Sequence, residues 1–275
     1  SYMPPAMVSD RFLNEVYNLL FCSDDNIHDD SDLNAEQRYI NVQNGLYDIE
    51  AKELKPHSSD VLSTIQLKCN YDRTASRPLH FLKFVNDMCT DEEGNVDTER
   101  VKVFQEWLGL ILSNIPGHTV KKALLLYSAL GNTGKSQFLK VVENLVGSNN
   151  VSNTPIQELS VRFAAGNLYD KKVVMVGDQE SGDITNSSMF KQLTGGDVIG
   201  VEKKHKQSFS FRFRGCIVMA CNGLPHFTDD KGSHVFDRLQ IIPLTNSIPK
   251  DKQDPYLLDK MLPERNGIFL WALEG

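Results

Sequence analysis

Two hydrophobic rhythms divide the chain. Up to residue 116 the pattern is mainly helical. Phe12, Leu13, Val16, Leu19 and Leu20 form one stripe, Leu79–Cys89 a second. Val101, Phe104, Trp107, Leu108, Ile111 and Leu112 form a third, with Asp97-Thr98 as its cap. Between the first two lie an acidic loop, Asp24–Asp32, and two short strand candidates, Tyr39–Val42 and Leu46–Ile49, around the turn dipeptide Asn44-Gly45. Asn114-Ile115-Pro116-Gly117 interrupts the pattern and marks a domain boundary, giving a smaller, largely helical unit over 8–116 and a second unit over 117–275.

The second unit alternates strands with helices. Ala123–Tyr127, Val173–Val176, Cys216–Ala220 and Leu239–Leu244 are near-continuous apolar runs, the composition of strands buried on both faces of a parallel sheet. The fold class expected is α/β. After the first run, Phe138, Leu139, Val141, Val142, Leu145 and Val146 share one helical face, and Gly147 ends it.

Between that strand and that helix stands Gly131-Asn132-Thr133-Gly134-Lys135-Ser136. A Gly-rich loop closing on Lys-Ser at a helix start cradles phosphates: backbone amides and the helix N-terminus face the anion, Lys135 reaches the β/γ-phosphates, and Ser136 ligates Mg²⁺. The expected cofactors are therefore ATP and Mg²⁺. The template's first glycine falls on Ala129, so Gly131 is expected to supply the permissive backbone instead.

Three further positions follow. Gly177-Asp178-Gln179-Glu180 ends the next strand, where an open α/β sheet places its ligands. By position Asp178 is assigned to the metal and Glu180 to activation of water as general base. Asn222, in Cys221-Asn222-Gly223-Leu224-Pro225, is a polar amide at a strand end, able to bond both γ-phosphate and water; an Asn-Gly turn explains it equally well. Arg238, opening the last strand, is expected on the far side from its own nucleotide and so to act in trans on a neighbouring subunit.

A net charge of −7 confines any nucleic-acid contact to a local patch. One such patch exists. Met189–Asp197 reads as a short helix ending in a glycine turn, followed by a strand, a cationic tip Lys203-Lys204-His205-Lys206, and a returning strand. In that strand Phe209, Phe211 and Phe213 alternate with Ser208, Ser210, Arg212 and Arg214. The tip suits phosphate oxygens and the phenylalanines suit inward packing. The five scattered cysteines form no C-x-x-C pair and suit a reducing cytoplasm as small buried hydrophobes; no apolar run is long enough to span a membrane. Ser1–Ala6 reads as a linker or cloning remnant.

The order of phosphate loop, Gly177–Glu180, Lys191-Gln192-Leu193-Thr194-Gly195-Gly196-Asp197, basic hairpin, Cys221–Pro225 and Arg238 resembles superfamily 3 helicases. Within them it is most similar to the primase-helicases of phages, plasmids, poxviruses and staphylococcal-type islands. Asn44–Asp48, Lys55–Ser58 and Leu62–Leu67 resemble that family's pre-helicase region, so the likeness runs from about Tyr39 to Gly275. It implies an AAA+-like core, a homo-hexameric ring, 3′→5′ translocation on single-stranded DNA at a replication fork, primase or other replication proteins as partners, and a cytoplasmic location in a bacterium or virus-infected cell. It also implies that Lys204 and His205 face the channel. Asp178 stands where relatives often carry a glutamate, which leaves the reverse division of labour with Glu180 open. Trp271–Gly275 falls inside what resembles a helix leading to a further domain, as in an excised fragment. The residues alone leave two other functions open, an initiator or loader ATPase and a P-loop phosphotransferase.

Overall fold

The computed structural model describes residues 13–16, 32–155, 164–179, 183–184, 187–201, 208–229 and 234–275. Leu13–Val16 are helical; the rest of that first stripe and the acidic loop before Asp32 lie outside the described residues.

Five parallel strands form the centre. They are β4 (Ala123–Tyr127), β5 (Val151–Ser152), β6 (Val173–Gln179), β9 (Cys216–Cys221) and β10 (Leu239–Pro243), in the order β10-β4-β9-β6-β5. Side chains on both faces of β4 and β9 are buried, which explains their almost unbroken apolar sequences. Helix α3 (Lys135–Val146) follows β4 and buries the predicted face from Phe138 to Val146. The fold is α/β with a central parallel sheet, as the alternation of runs predicts.

An antiparallel meander, β1 (Tyr39–Val42), β2 (Gly45–Asp48) and β3 (Glu53–Lys55), precedes helices α1 (Leu79–Met88) and α2 (Thr98–Leu112). Asp97 caps α2 by accepting from Arg100 N at 3.0 Å, as predicted. Two helices, α5 (Leu257–Met261) and α6 (Arg265–Glu274), close the chain.

The turn expected at Asn114–Gly117 is present, but the apolar core runs straight across it. Phe104 of α2 meets Phe138 of α3 edge-on, with ring centroids 4.9 Å apart, and Phe81 of α1 meets Trp271 of α6 at 5.4 Å. One cluster joins Ile40, Phe81, Leu108, Leu124, Phe138 and Phe269. Polar contacts reinforce the seam. Asn114 Nδ2 donates to Tyr39 O at 2.6 Å, and the buried Lys172 ammonium donates to Ser113 O and, at 3.2 Å, to Asn114 Oδ1. Burial lowers the Lys172 pKa to about 8. The described residues on either side of that turn thus share one apolar cluster.

Candidate functional site

The carboxyl ends of β4, β9 and β6 come together at one edge of the sheet. Tyr127 pairs with Cys221 and Cys221 with Gln179. Ser128 N donates to Cys221 O at 3.1 Å, extending the ladder into the phosphate loop. Ala129, Leu130, Gly131 and Asn132 are exposed, whereas Thr133 and Lys135 are buried. Lys135 Nζ lies 3.4 Å from Ser128 O and Thr133 Oγ1 and 3.5 Å from Leu130 O. Its ammonium therefore sits inside the curl of its own loop. Ser136 is exposed in the first turn of α3. A cation within a ring of backbone, at the positive end of a helix, suits a phosphate-rich anion.

The loop's backbone corrects one expectation. Gly131 has no positive φ; the left-handed residues are Asn132 (φ 60°) and Gly134 (φ 92°). Asparagine tolerates that region because its short polar side chain bonds locally, so the loop makes its turn without the glycine missing at 129. At Gly134 a Cβ would stand 2.9 Å from both Met88 Cγ and Phe84 Cε2, so α1 packs against the end of the phosphate loop. Sequence reasoning assigned nothing before residue 117 to this site, and no local signal there marks such a contact.

A second brace was also invisible in the sequence. After β10, Ser247 Oγ donates to Gly131 O at 2.8 Å and Ile248 N to Asn132 O at 3.0 Å, while Asn246 Nδ2 donates to Asp87 O at 2.7 Å. One polar stretch ties the loop to α1. It carries no periodicity that sequence reading could use.

Strand β6 runs three residues beyond its apolar stretch, so Asp178 is a strand residue beside β9. Glu180 lies outside the described residues. Asn222 is exposed directly after β9, beside the loop edge. Arg238 is at the other end of the sheet: Leu239 pairs with Ala123 and Pro243 with Tyr127. At the rise of a parallel strand, that puts Arg238 roughly 16 Å from the loop edge. Its Nη1 donates to Lys191 O at 3.1 Å and to Thr194 Oγ1 at 3.0 Å.

Helix α4 (Ser188–Gly195) ends on Gly196, in the left-handed region, as the glycine pair predicts. β7 (Val198–Val201) and β8 (Phe209–Arg212) then pair antiparallel, Val201 opposite Phe209. The predicted alternation is present: Ser208, Ser210 and Arg212 are exposed, Phe213 is buried, and Phe209 and Phe211 pack half-buried on the Tyr169 ring at 5.2 and 5.6 Å. Lys203, Lys204, His205 and Lys206 lie outside the described residues.

Among the described residues no group of three His, Cys, Asp or Glu side chains could hold a metal, and no helix is long and apolar enough to cross a membrane. Cys69, Cys89, Cys216 and Cys221 are buried, and desolvation pushes the thiols of the first three up to about 12, so those three are packing groups rather than nucleophiles.

Residues 126–238 match a family described as a family of unknown function, DUF5906, and residues 8–90 match "D5 N terminal like". "Putative helicase L207/L206" of Acanthamoeba polyphaga mimivirus is 23% identical over 80% of this chain and 23% of its own length. "Putative helicase 184R" of Invertebrate iridescent virus 6 is 22% identical over 90% of this chain and 25% of its own. The chain is similar to viral proteins that bear the name "Putative helicase". It spans about a quarter of the length of these relatives. Two solved structures of the NrS-1 C-terminal region share the fold. One has a TM-score of 0.59 at 14% identity, covering 88% of this chain and 53% of that one; the other has 0.57 at 15%, covering 79% and 51%.

Proposed function

We propose that this chain is the ATPase segment of a DNA helicase of the superfamily 3 type, working 3′→5′ on single-stranded DNA as a ring. The observation that carries this reading is the Lys135 ammonium buried inside a loop that joins β4 to α3, at the sheet edge where β6 and β9 also end. That arrangement fits a nucleoside triphosphate: amides and helix N-terminus for the anion, the ammonium for the β/γ-phosphates. Ser136 and Asp178 would hold Mg²⁺, which such sites bind with few protein ligands because the phosphates supply the rest. The metal would supply charge neutralisation for the phosphates.

The chain's own residues divide the remaining work. Asp178 and Glu180 are the candidates for orienting and deprotonating water. Asn222, beside the loop edge, senses the γ-phosphate. Arg238, at the far end of the sheet from its own loop, serves a neighbouring subunit. The hairpin tip, Lys203 to Lys206, grips phosphates of the strand, and its base is joined to β9 through Phe213, Arg214 and Gly215. The matches to viral proteins named as helicases favour this over a phosphotransferase with the same loop.

ATP hydrolysis by the full-length protein, measured with and without single-stranded DNA, tests the reading. Lys135→Ala is expected to abolish hydrolysis, and DNA to stimulate the wild type. Hydrolysis indifferent to DNA, with phosphate passed to a small acceptor, overturns it.

A further inference from the structure

Three elements meet at the turn that ends α4 and starts the hairpin. Arg238 Nη1 bonds Lys191 O and Thr194 Oγ1, and stands 3.4 Å from where a Cβ on Gly195 would project. The Arg212 guanidinium donates to Gly196 O. The His118 ring fills the place of a Gly196 side chain, whose Cβ would lie 2.6 Å from Cγ and Cδ2, while His118 Nδ1 is 3.2 Å from Phe213 O. Gly196 has φ 73°, a conformation that glycine adopts without strain. Two residues later Val198 begins the hairpin, paired with Arg212. The turn is clamped between the arginine directed at a neighbour and the strands that carry the basic tip.

Thr194 is buried, and its hydroxyl proton is committed to Phe190 O at 2.8 Å. Its lone pair is thereby aimed at Arg238. Among the described residues Arg238 makes no hydrogen bond through Nε or Nη2, so one edge of the guanidinium holds the turn and the other can meet an anion.

We infer that the Thr194–Gly196 turn is the joint between hydrolysis and movement: Thr194 positions Arg238, and a shift of Arg238 towards a neighbouring subunit's γ-phosphate pulls the turn and the hairpin strand that follows it. Thr194 is a positioning residue, since it touches the arginine and never the nucleotide. The inference rests on the helicase reading and on Arg238 acting in trans. A clamped glycine pair transmits displacement because a turn packed against His118 on one side has no slack to absorb it.

A double-mutant cycle on the full-length protein tests it. Thr194→Val, which keeps shape and removes the hydroxyl, is expected to lower DNA-stimulated kcat about tenfold through a misplaced guanidinium. Nucleotide affinity should stay within about twofold of wild type, because the variant's own phosphate loop is untouched. Thr194→Ser should restore kcat. In an Arg238→Ala background Thr194→Val should cost nothing further. Losses that add, a serine variant as poor as valine, or an unchanged kcat each overturn the joint. A wild type that hydrolyses no ATP, or a Lys135→Ala protein as active as wild type, overturns the helicase reading itself and the joint with it.

Discussion

Asp48 shows how one residue fixes the framework around β2. Its carboxylate is enclosed, accepting from Arg38 Nε at 3.0 Å on both oxygens, from Lys55 Nζ at 2.7 Å, and from the amides of Glu50 and Ala51 at 3.1 and 3.0 Å. The Arg38 guanidinium, ahead of the backbone amide of Ala51 and of Lys55, holds its carboxyl far below the usual carboxylate range. A depressed folded pKa stabilises at every pH above the unfolded value of about 3.9 and is lost as pH falls towards the folded one. Asp48→Asn should therefore lower the urea midpoint at neutral pH and flatten its decline below about pH 4. An unaltered acid limb would assign acid unfolding to other carboxylates. Gly134 is the residue-scale counterpart in the phosphate loop. Alanine there combines φ 92° with contacts of 2.9 Å to Phe84 and Met88, and should cost about 1–3 kcal/mol while weakening nucleotide binding. Denaturation and nucleotide titration of the same variant measure the two effects.

At the scale of elements, the sequence located the long apolar strands and the helices α1 to α4, and missed β3, β5, α5 and what holds the ends. The apolar runs predicted β4, β6, β9 and β10 because a strand covered on both faces has no polar alternation to disguise it. β6 extends through Gly177-Asp178-Gln179 because β9 offers a partner there, which no local pattern encodes. Helix α1 illustrates the same limit. Its N-cap, Pro78, has no side-chain cap, yet the Glu264 carboxylate accepts from His80 N at 3.0 Å and Phe81 N at 2.9 Å, 184 and 183 residues away. Glu264→Ala should destabilise by about 1 kcal/mol, the usual value of a lost cap. Because α1 also walls Gly134, the variant should loosen the phosphate loop, measurable as faster amide exchange from Gly131 to Lys135.

At the scale of the whole molecule, the charge distribution bears on the proposed DNA contact. With an overall charge of −7, the proposed DNA contact falls to a local patch, the sequence run Lys203-Lys204-His205-Lys206. Removing Lys203, Lys204 and Lys206 together should weaken single-stranded DNA binding and reduce the slope of log affinity against log salt by about two, given about 0.7 per phosphate contact. A slope equal to wild type would move the DNA contact elsewhere. The apolar core is shared across the turn at Asn114–Gly117. With Phe104 on Phe138 and Phe81 on Trp271, the meander and first helices belong to the body that carries the phosphate loop.

The sequence by itself determined the α/β alternation, a glycine loop from Gly131 to Gly134 between β4 and α3, the glycine turn after α4, and the hairpin's alternating faces. Each is a local device, written in adjacent residues or in a short period. The tertiary structure alone decided that Asn132 makes the loop's turn, that α1 and the Asn246–Ile248 stretch brace it, and that Arg238 rests on Thr194. Those depend on residues brought together across the chain, where packing, and no sequence spacing, selects the partner.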